Sequence, residues 1–326
     1  MQLLVATDRE VVVIDVERGV AAPARGIDDR PTCITADPLV HGRAWCGTQR
    51  DGVFRSDDGG LSWQSAGLSG RLIMAVSASP ADRDVVWAGT EPSEVWRSAN
   101  GGDTWKQTSR LETLSSSSEW AFPPRPDTHH VRWIACHPIE PGRLWVAIEA
   151  GALVSTIDGG RTWSDRVRGG PRDTHELAVH HNAPDTLRVS GGDGYFESDD
   201  GGATWRSPSI GLEVRYLRSV AIDPQQTDVV LVSASSGPHS AYVAGRSDGR
   251  LYRRITRERW ERVREGWPER ANTIAPLLCA GAKAGELWAA DERGVHRSDD
   301  GGKSWRRAAG YITTPHHLRG LALCAA

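Results

Sequence analysis

No apolar run in the 326 residues approaches the ~20 that a membrane-crossing helix needs, so no membrane partner is expected. Neither sign of charge dominates. A net charge of -3 argues against a nucleic-acid partner recognised through bulk positive charge. Cysteine is sparse: five residues (Cys33, Cys46, Cys136, Cys279, Cys324) are scattered without a CxxC pair. That usage reads as reduced, buried thiols in a cytoplasmic protein. The opening stretch MQLLVATDREVVVIDVERG carries acidic residues close behind a short apolar patch, unlike a secretory signal. Phenylalanine is nearly missing, with 3 residues against 14 tryptophans, so tryptophan has been placed by a rule. With 35 glycines and 18 prolines, long helices are excluded and turns must be frequent. A hydrophobic share of 39% and a charged share of 25% exclude a disordered chain.

The rule behind the tryptophans is a repeat. SDDGGLSW begins at Ser56, SANGGDTW at Ser98, TIDGGRTW at Thr156, SDDGGATW at Ser198 and SDDGGKSW at Ser298. The starts lie 42, 58, 42 and 100 residues apart, and the last gap holds a degenerate copy from Gly245 to Trp260. Each box closes a larger unit of alternating, β-branched segments. A first strand ends at Asp-Pro or a variant, and a second often carries tryptophan (AWCGT, VWAGT, LWVAI, LWAAD). A third precedes the box, and a fourth starts at the box tryptophan. Four strands at a 40–50 residue period predict a propeller blade. Six units start near Thr32, Ile73, Val131, Thr174, Leu217 and Ile274. The C-terminal LRGLALC supplies a first strand to the N-terminal LLVATD and REVVVIDV, giving a seventh. Residues 1–326 are therefore expected to form one all-β domain, a seven-bladed β-propeller whose ring is closed by both termini in one blade.

These five motifs resemble Asp-box (BNR) repeats, known from sialidases, xyloglucan-degrading glycosidases, sortilin-type receptors and photosystem assembly factors. The resemblance implies the propeller fold and a structural role for the box hairpin. The residues agree: Asp58, Asn100, Asp158, Asp200 and Asp300 can accept from their own turn. Gly60, Gly102, Gly160, Gly202 and Gly302 suit positive φ. The box tryptophans can wedge between blades. A calcium loop is disfavoured, since the full oxygen series and closing glutamate are missing. A sialidase is also disfavoured, because the chain has neither six blades nor an Arg-Ile-Pro motif.

In a propeller, function gathers at the mouth where the first strands begin. Aligned across units, one entry position holds Thr32, Met74, Arg132, His175, Arg218, Ala275 and Arg319. Two residues earlier stand Arg30, Leu72, His130, Asp173, Tyr216, Thr273 and His317. Four blades thus carry the polar pairs His130/Arg132, Asp173/His175, Tyr216/Arg218 and His317/Arg319. A long connection from Lys106 to His130, with the flexible-looking run SSSSEWAFPP, adds Trp120 and Phe122 as a stacking wall. A blade 5 insertion, SSGPHSAYVAGRSDG, adds His239 and Tyr242, and the GGDG loop adds Asp193. His41 and His296 are expected on the surface.

This set points to a small anionic or sugar-like ligand. Arg132, Arg218 and Arg319 would clamp a carboxylate, sulfate or phosphate. His130, His175, His317, Tyr216 and Asp173 would act as acids or bases. The chemistry would be of hydrolase or lyase type. No metal ligands are assigned, although three histidines with Asp173 leave room for a divalent ion as cofactor. The alternative is a non-catalytic scaffold binding a ligand or protein, with exposed Trp120, Phe122 and Trp267 at the rim.

Overall fold

The computed structural model describes residues 1–243, 245–267 and 272–325. Seven antiparallel sheets form, six from strands consecutive in the chain and the seventh from both termini. The blade first strands are Pro31–Ala36, Leu72–Ala78, Val131–Cys136, Thr174–His180, Tyr216–Ile222, Leu277–Ala280 and Leu318–Cys324. Each lies against the first strands of the blades on either side, and the last returns to Pro31–Ala36, so they line a closed ring. The closing blade joins Leu318–Cys324 to Gln2–Thr7, Val11–Asp15 and Val20–Pro23, leaving no open edge at the seam. In blades 3 and 4 the fourth strand shrinks to isolated bridges, Ser155 with Ser164 and Glu197 with Arg206.

Tryptophan placement follows the sheet pleat. The second-strand residues Trp45, Trp87, Trp145 and Trp288 are all buried, filling the wedge between adjacent sheets. Box tryptophans seal the same seams further out: Trp63 packs with Leu4 and Val11 of the closing blade. Within the boxes, Ser56 Oγ donates to Asp58, which also accepts from Ser62 N at 2.9 Å and from Ser62 Oγ. Trp63 Nε1 donates to Gly60 O at 2.8 Å. The same network recurs at Ser198, Asp200 and Thr204, and at Ser298, Asp300 and Ser304. Each hairpin carboxylate is thus committed to its own turn.

The far ends of the first strands turn by a related device. Asp37 and Asp223 each accept two backbone N–H groups of the following turn. In blade 3 an imidazole stands in, with His137 Nδ1 accepting from Ile139 N and Glu140 N.

At the near ends, six of the seven first strands carry one extra residue. Thr32, Met74, Arg132, His175, Arg218 and Arg319 each fall between two paired neighbours that face consecutive residues of the next strand. These are β-bulges, which re-aim a side chain out of the pleat alternation. Six of the seven residues aligned in the sequence therefore occupy one structural position. The exception is Ala275, because the paired strand of blade 6 begins only at Leu277.

Two box glycines separate the cost of backbone conformation from that of packing. Gly159 and Gly60 both have positive φ, +75° and +89°, but a Cβ at Gly159 meets nothing within 4 Å. One at Gly60 would sit 2.4 Å from Leu4 Cδ2. Gly159→Ala should therefore cost about 1–2 kcal/mol. Gly60→Ala should cost at least about 1 kcal/mol more, as overpacking. Urea unfolding of both variants checks this, and equal losses would contradict the packing assignment.

Candidate functional site

Two cavities lie along the channel that the ring encloses. Among the described residues, the mouth cavity, ≈ 660 Å³, is lined by Arg9, Arg30, Arg125, Arg132 and Arg319 against two carboxylates, Asp8 and Glu149. Its wall also includes Phe122, His130, Tyr242 and His317. A deeper cavity of ≈ 520 Å³ is walled by the first strands, including Cys33, Ser77, Cys136 and Glu176. Met74, Arg132 and Arg319 border both, so two of the bulged arginines stand at the waist.

The other bulged side chains face a neighbouring blade. Thr32 Oγ1 donates to Ile73 O, and His175 Nδ1 to Leu217 O at 2.5 Å. Arg218 donates to Ala275 O and Leu318 O, each at 2.6 Å. Ile73, Leu217 and Leu318 are each the residue before the next bulge. A bulge interrupts the strand ladder at that point, and the neighbour's side chain satisfies the carbonyl beside it. Arg218 is consequently a brace between blades and borders neither channel cavity. Burial, with Arg132 and Arg319 nearby, pulls its guanidinium down to about 10.

Arg132 and Arg319 escape this duty. Burial would lower the Arg132 guanidinium, but Glu149, whose Oε2 lies 3.4 Å from Nε, together with Tyr242, Tyr216 and Glu176 raises it above its ordinary range. Arg319 is exposed to the channel and has no carboxylate within ion-pair distance among the described residues. Burial by the surrounding walls and the charge of Arg132 hold its guanidinium below the ordinary range. An unpaired cation facing another cation in a confined space is a site for an anion.

The imidazoles divide in the same way. His317 lines the mouth and its Nδ1–H donates to Tyr242 O at 2.9 Å, which leaves Nε2 as the ring nitrogen free of that contact. His130 is 1% exposed, pairs with Glu149 through Nε2 at 2.7 Å and meets the edge of Phe122. Burial would raise the Glu149 carboxyl, but the His130 bond, Arg132 and His175 pull it down to about 2. His175 turns Nε2 toward Glu149 Oε1 and Asp173 Oδ1, 3.8 Å from each. Asp173 is held in place by the Ala150 N–H at 2.9 Å. Burial, with Glu149 adding to it, raises the Asp173 carboxyl. The Tyr216 hydroxyl donates to that of Tyr242 at 3.3 Å, and burial keeps its phenol far above the ordinary range, hence protonated.

Several expected site residues lie elsewhere. Trp120 is 6% exposed and belongs to the core between blades 2 and 3, its Nε1 donating to Ser116 Oγ. The serine run around it is fastened, since Asp165 accepts from Ser115 Oγ, Ser116 N and Ser116 Oγ. Phe122 alone supplies the aromatic wall from this loop. His239 sits exposed on the short helix Pro238–Tyr242, away from the mouth lining, and Ala244 of that insertion lies outside the described residues. Asp193 is exposed and accepts from Arg172 N, outside the cavity lining. Trp267 and His296 are both buried, their ring centroids 5.0 Å apart and their planes tilted by 53°, against the expectation of rim and surface positions.

Residues missed in the sequence come from two places. Glu149 follows the second strand Leu144–Ile148, where Gln49 and Glu91 stand in blades 1 and 2. The recurrence of Gln49, Glu91 and Glu149 four residues after the second-strand tryptophans is the sequence signal that points to it. Glu176 follows the bulge of blade 4, borders the deeper cavity and accepts from Ser219 Oγ. Burial pushes its carboxyl up to about 8, against the pull of Arg132 and Arg218.

Comparison with known proteins defines the fold and no more. No protein-family model matches the chain, and no curated protein matches it. Among solved structures, the GH74 enzyme of Niastella koreensis superposes with a TM-score of 0.71 at 14% identity, over 94% of this chain and 52% of its own. The GH74 xyloglucanase of Xanthomonas campestris gives 0.69 at 16%, over 98% and 52%. YCF48 bound to D1 peptide gives 0.60 at 18%, over 86% and 82%. The shared property is the propeller fold. This chain spans about half the length of those glycosidases and most of the length of YCF48.

The Glu176 shift sets a pH dependence. A carboxyl held at about 8 in the folded chain and near 4.3 when unfolded stabilises fully below ~4.3 and loses that contribution as pH rises through 8. Glu176→Gln keeps the acceptor for Ser219 and removes the titration. Its melting temperature relative to wild type should rise between pH 5 and pH 9. A constant difference across that range would contradict the assignment.

Proposed function

We propose that the mouth cavity binds a small organic anion of sugar-acid or phosphate-ester size and acts on it by proton transfer. The observation that carries this reading is Arg319, an unpaired guanidinium at the waist beside Arg132, in a cavity lined by five arginines and two carboxylates. The anion would bridge Arg132 and Arg319, relieving their mutual repulsion through charge-assisted hydrogen bonds worth about 1.5–3 kcal/mol each. His317, whose Nδ1–H is taken by Tyr242 O, would act as base through Nε2, and the Tyr242 hydroxyl, which accepts from Tyr216, stands in the same wall. This combination suits lyase chemistry, in which a base removes a proton beside a carboxylate whose developing charge the arginines hold. It suits glycoside hydrolysis less well. Glu149 and Asp173 face one another across His175 instead of flanking open space for a sugar bond.

A second reading, a binding scaffold without turnover, draws on different observations. Two of the expected site residues, Arg218 and Trp120, serve the frame, and the YCF48 structure, most of whose length this chain spans, carries a bound peptide. The two readings part in one experiment. Calorimetric titration with sugar acids, lactones and phosphorylated compounds should find an anionic binder, weakened at least about tenfold by Arg319→Met without loss of melting temperature. His317→Gln should retain binding and lose turnover of that compound. Binding without turnover by the wild type favours the scaffold. A panel without a binder, or unchanged affinity in Arg319→Met, overturns the anion site.

A further inference from the structure

His175 has one ring nitrogen bonded to the backbone and the other without a hydrogen-bond partner among the described residues. Its Nδ1–H donates to the Leu217 carbonyl, so Nε2 carries a lone pair in the neutral ring. That nitrogen is buried, on a side chain with 0% exposure, and has no hydrogen-bond partner. It points between Glu149 Oε1 and Asp173 Oδ1, 3.8 Å from each, and the three atoms lie within 4.8 Å of one another. Three electron-rich atoms thus converge, and in the neutral ring Nε2 has no hydrogen to share with either carboxylate. A buried polar group left in that state costs free energy.

We infer that Glu149, Asp173 and His175 hold one divalent transition-metal ion. Donor separations of 3.8 Å are close to those of neighbouring ligands around an ion bonded at about 2.0–2.2 Å, so a small inward movement completes the set. One imidazole nitrogen with two carboxylates favours Mn²⁺ or Zn²⁺ over Ca²⁺, which prefers oxygen alone. The surrounding bonds match what metal ligands need. The Leu217 carbonyl orients the imidazole, the Ala150 N–H holds Asp173, and His130 holds the other oxygen of Glu149. Arg132 also lies on that second oxygen, leaving Oε1 to the ion. Glu149 borders the mouth cavity, which provides a route of entry. The inference does not depend on the anion reading, since it uses neither Arg319 nor His317.

The test uses the full chain stripped with chelator and then titrated with Mn²⁺ and Zn²⁺ by calorimetry. One ion per chain is expected, and Asp173→Asn, which preserves the acceptor for Ala150 N–H, should weaken binding at least about tenfold. Pulsed EPR of the Mn²⁺-loaded wild type should show nitrogen coupling from one bound imidazole, a readout that needs no variant. Lack of saturable binding, undiminished binding in folded Asp173→Asn, or a Mn²⁺ signal without imidazole nitrogen each overturns the site. Anion binding that survives chelation alongside a failed metal titration would remove this site and leave the anion reading intact.

Discussion

A strand alternates its side chains between two faces, so a plain first strand could not present a long polar residue to the channel and keep its apolar neighbours in the seams. One extra residue, inserted at the same place in six first strands, resolves that conflict. The price is an interrupted ladder in each blade. The structure answers it with side chains from the bulges themselves: Thr32, His175 and Arg218 each donate to a carbonyl of another blade. The bulged position therefore both ties the ring together and furnishes its mouth.

That dual use separates framework from chemistry. A bulged residue whose donors are taken by the neighbouring backbone is bound into the wall, however polar it is, as Arg218 shows. One whose donors are not so taken is available to a ligand. Arg132 and Arg319 meet this condition and stand together at the waist between the two cavities. His175 lies between these cases, with one nitrogen committed to the ring and the other turned toward two carboxylates.

The repeat made the fold legible. Box spacing, second-strand tryptophans and the split closing blade all follow from local periodicity, which a sequence displays directly. Cross-blade alignment also located the bulges in six blades, because equivalent positions in a repeated unit share a backbone. It could not tell Arg218 from Arg319. Their difference lies in whether another blade offers a carbonyl within reach, and that depends on packing across about 100 residues of chain. Trp120 misled for a related reason: a serine-rich loop looks mobile until Asp165, 45 residues further on, is seen to hold it. Glu149 and Glu176 stand at the end of a second strand and one residue past a bulge, outside the two positions that the first-strand pattern singles out.

The central claim is that side chains from blades 3 and 7 share one space. A double-mutant cycle on unfolding free energy with Arg132→Met and Arg319→Met, at low ionic strength, tests it without any ligand. Two facing cations should couple by about 0.5 kcal/mol or more, the double variant being less stable than the sum of the singles predicts, with the coupling shrinking as salt is added. Additivity within about 0.3 kcal/mol at all salt concentrations would place the two arginines in separate surroundings and contradict the account.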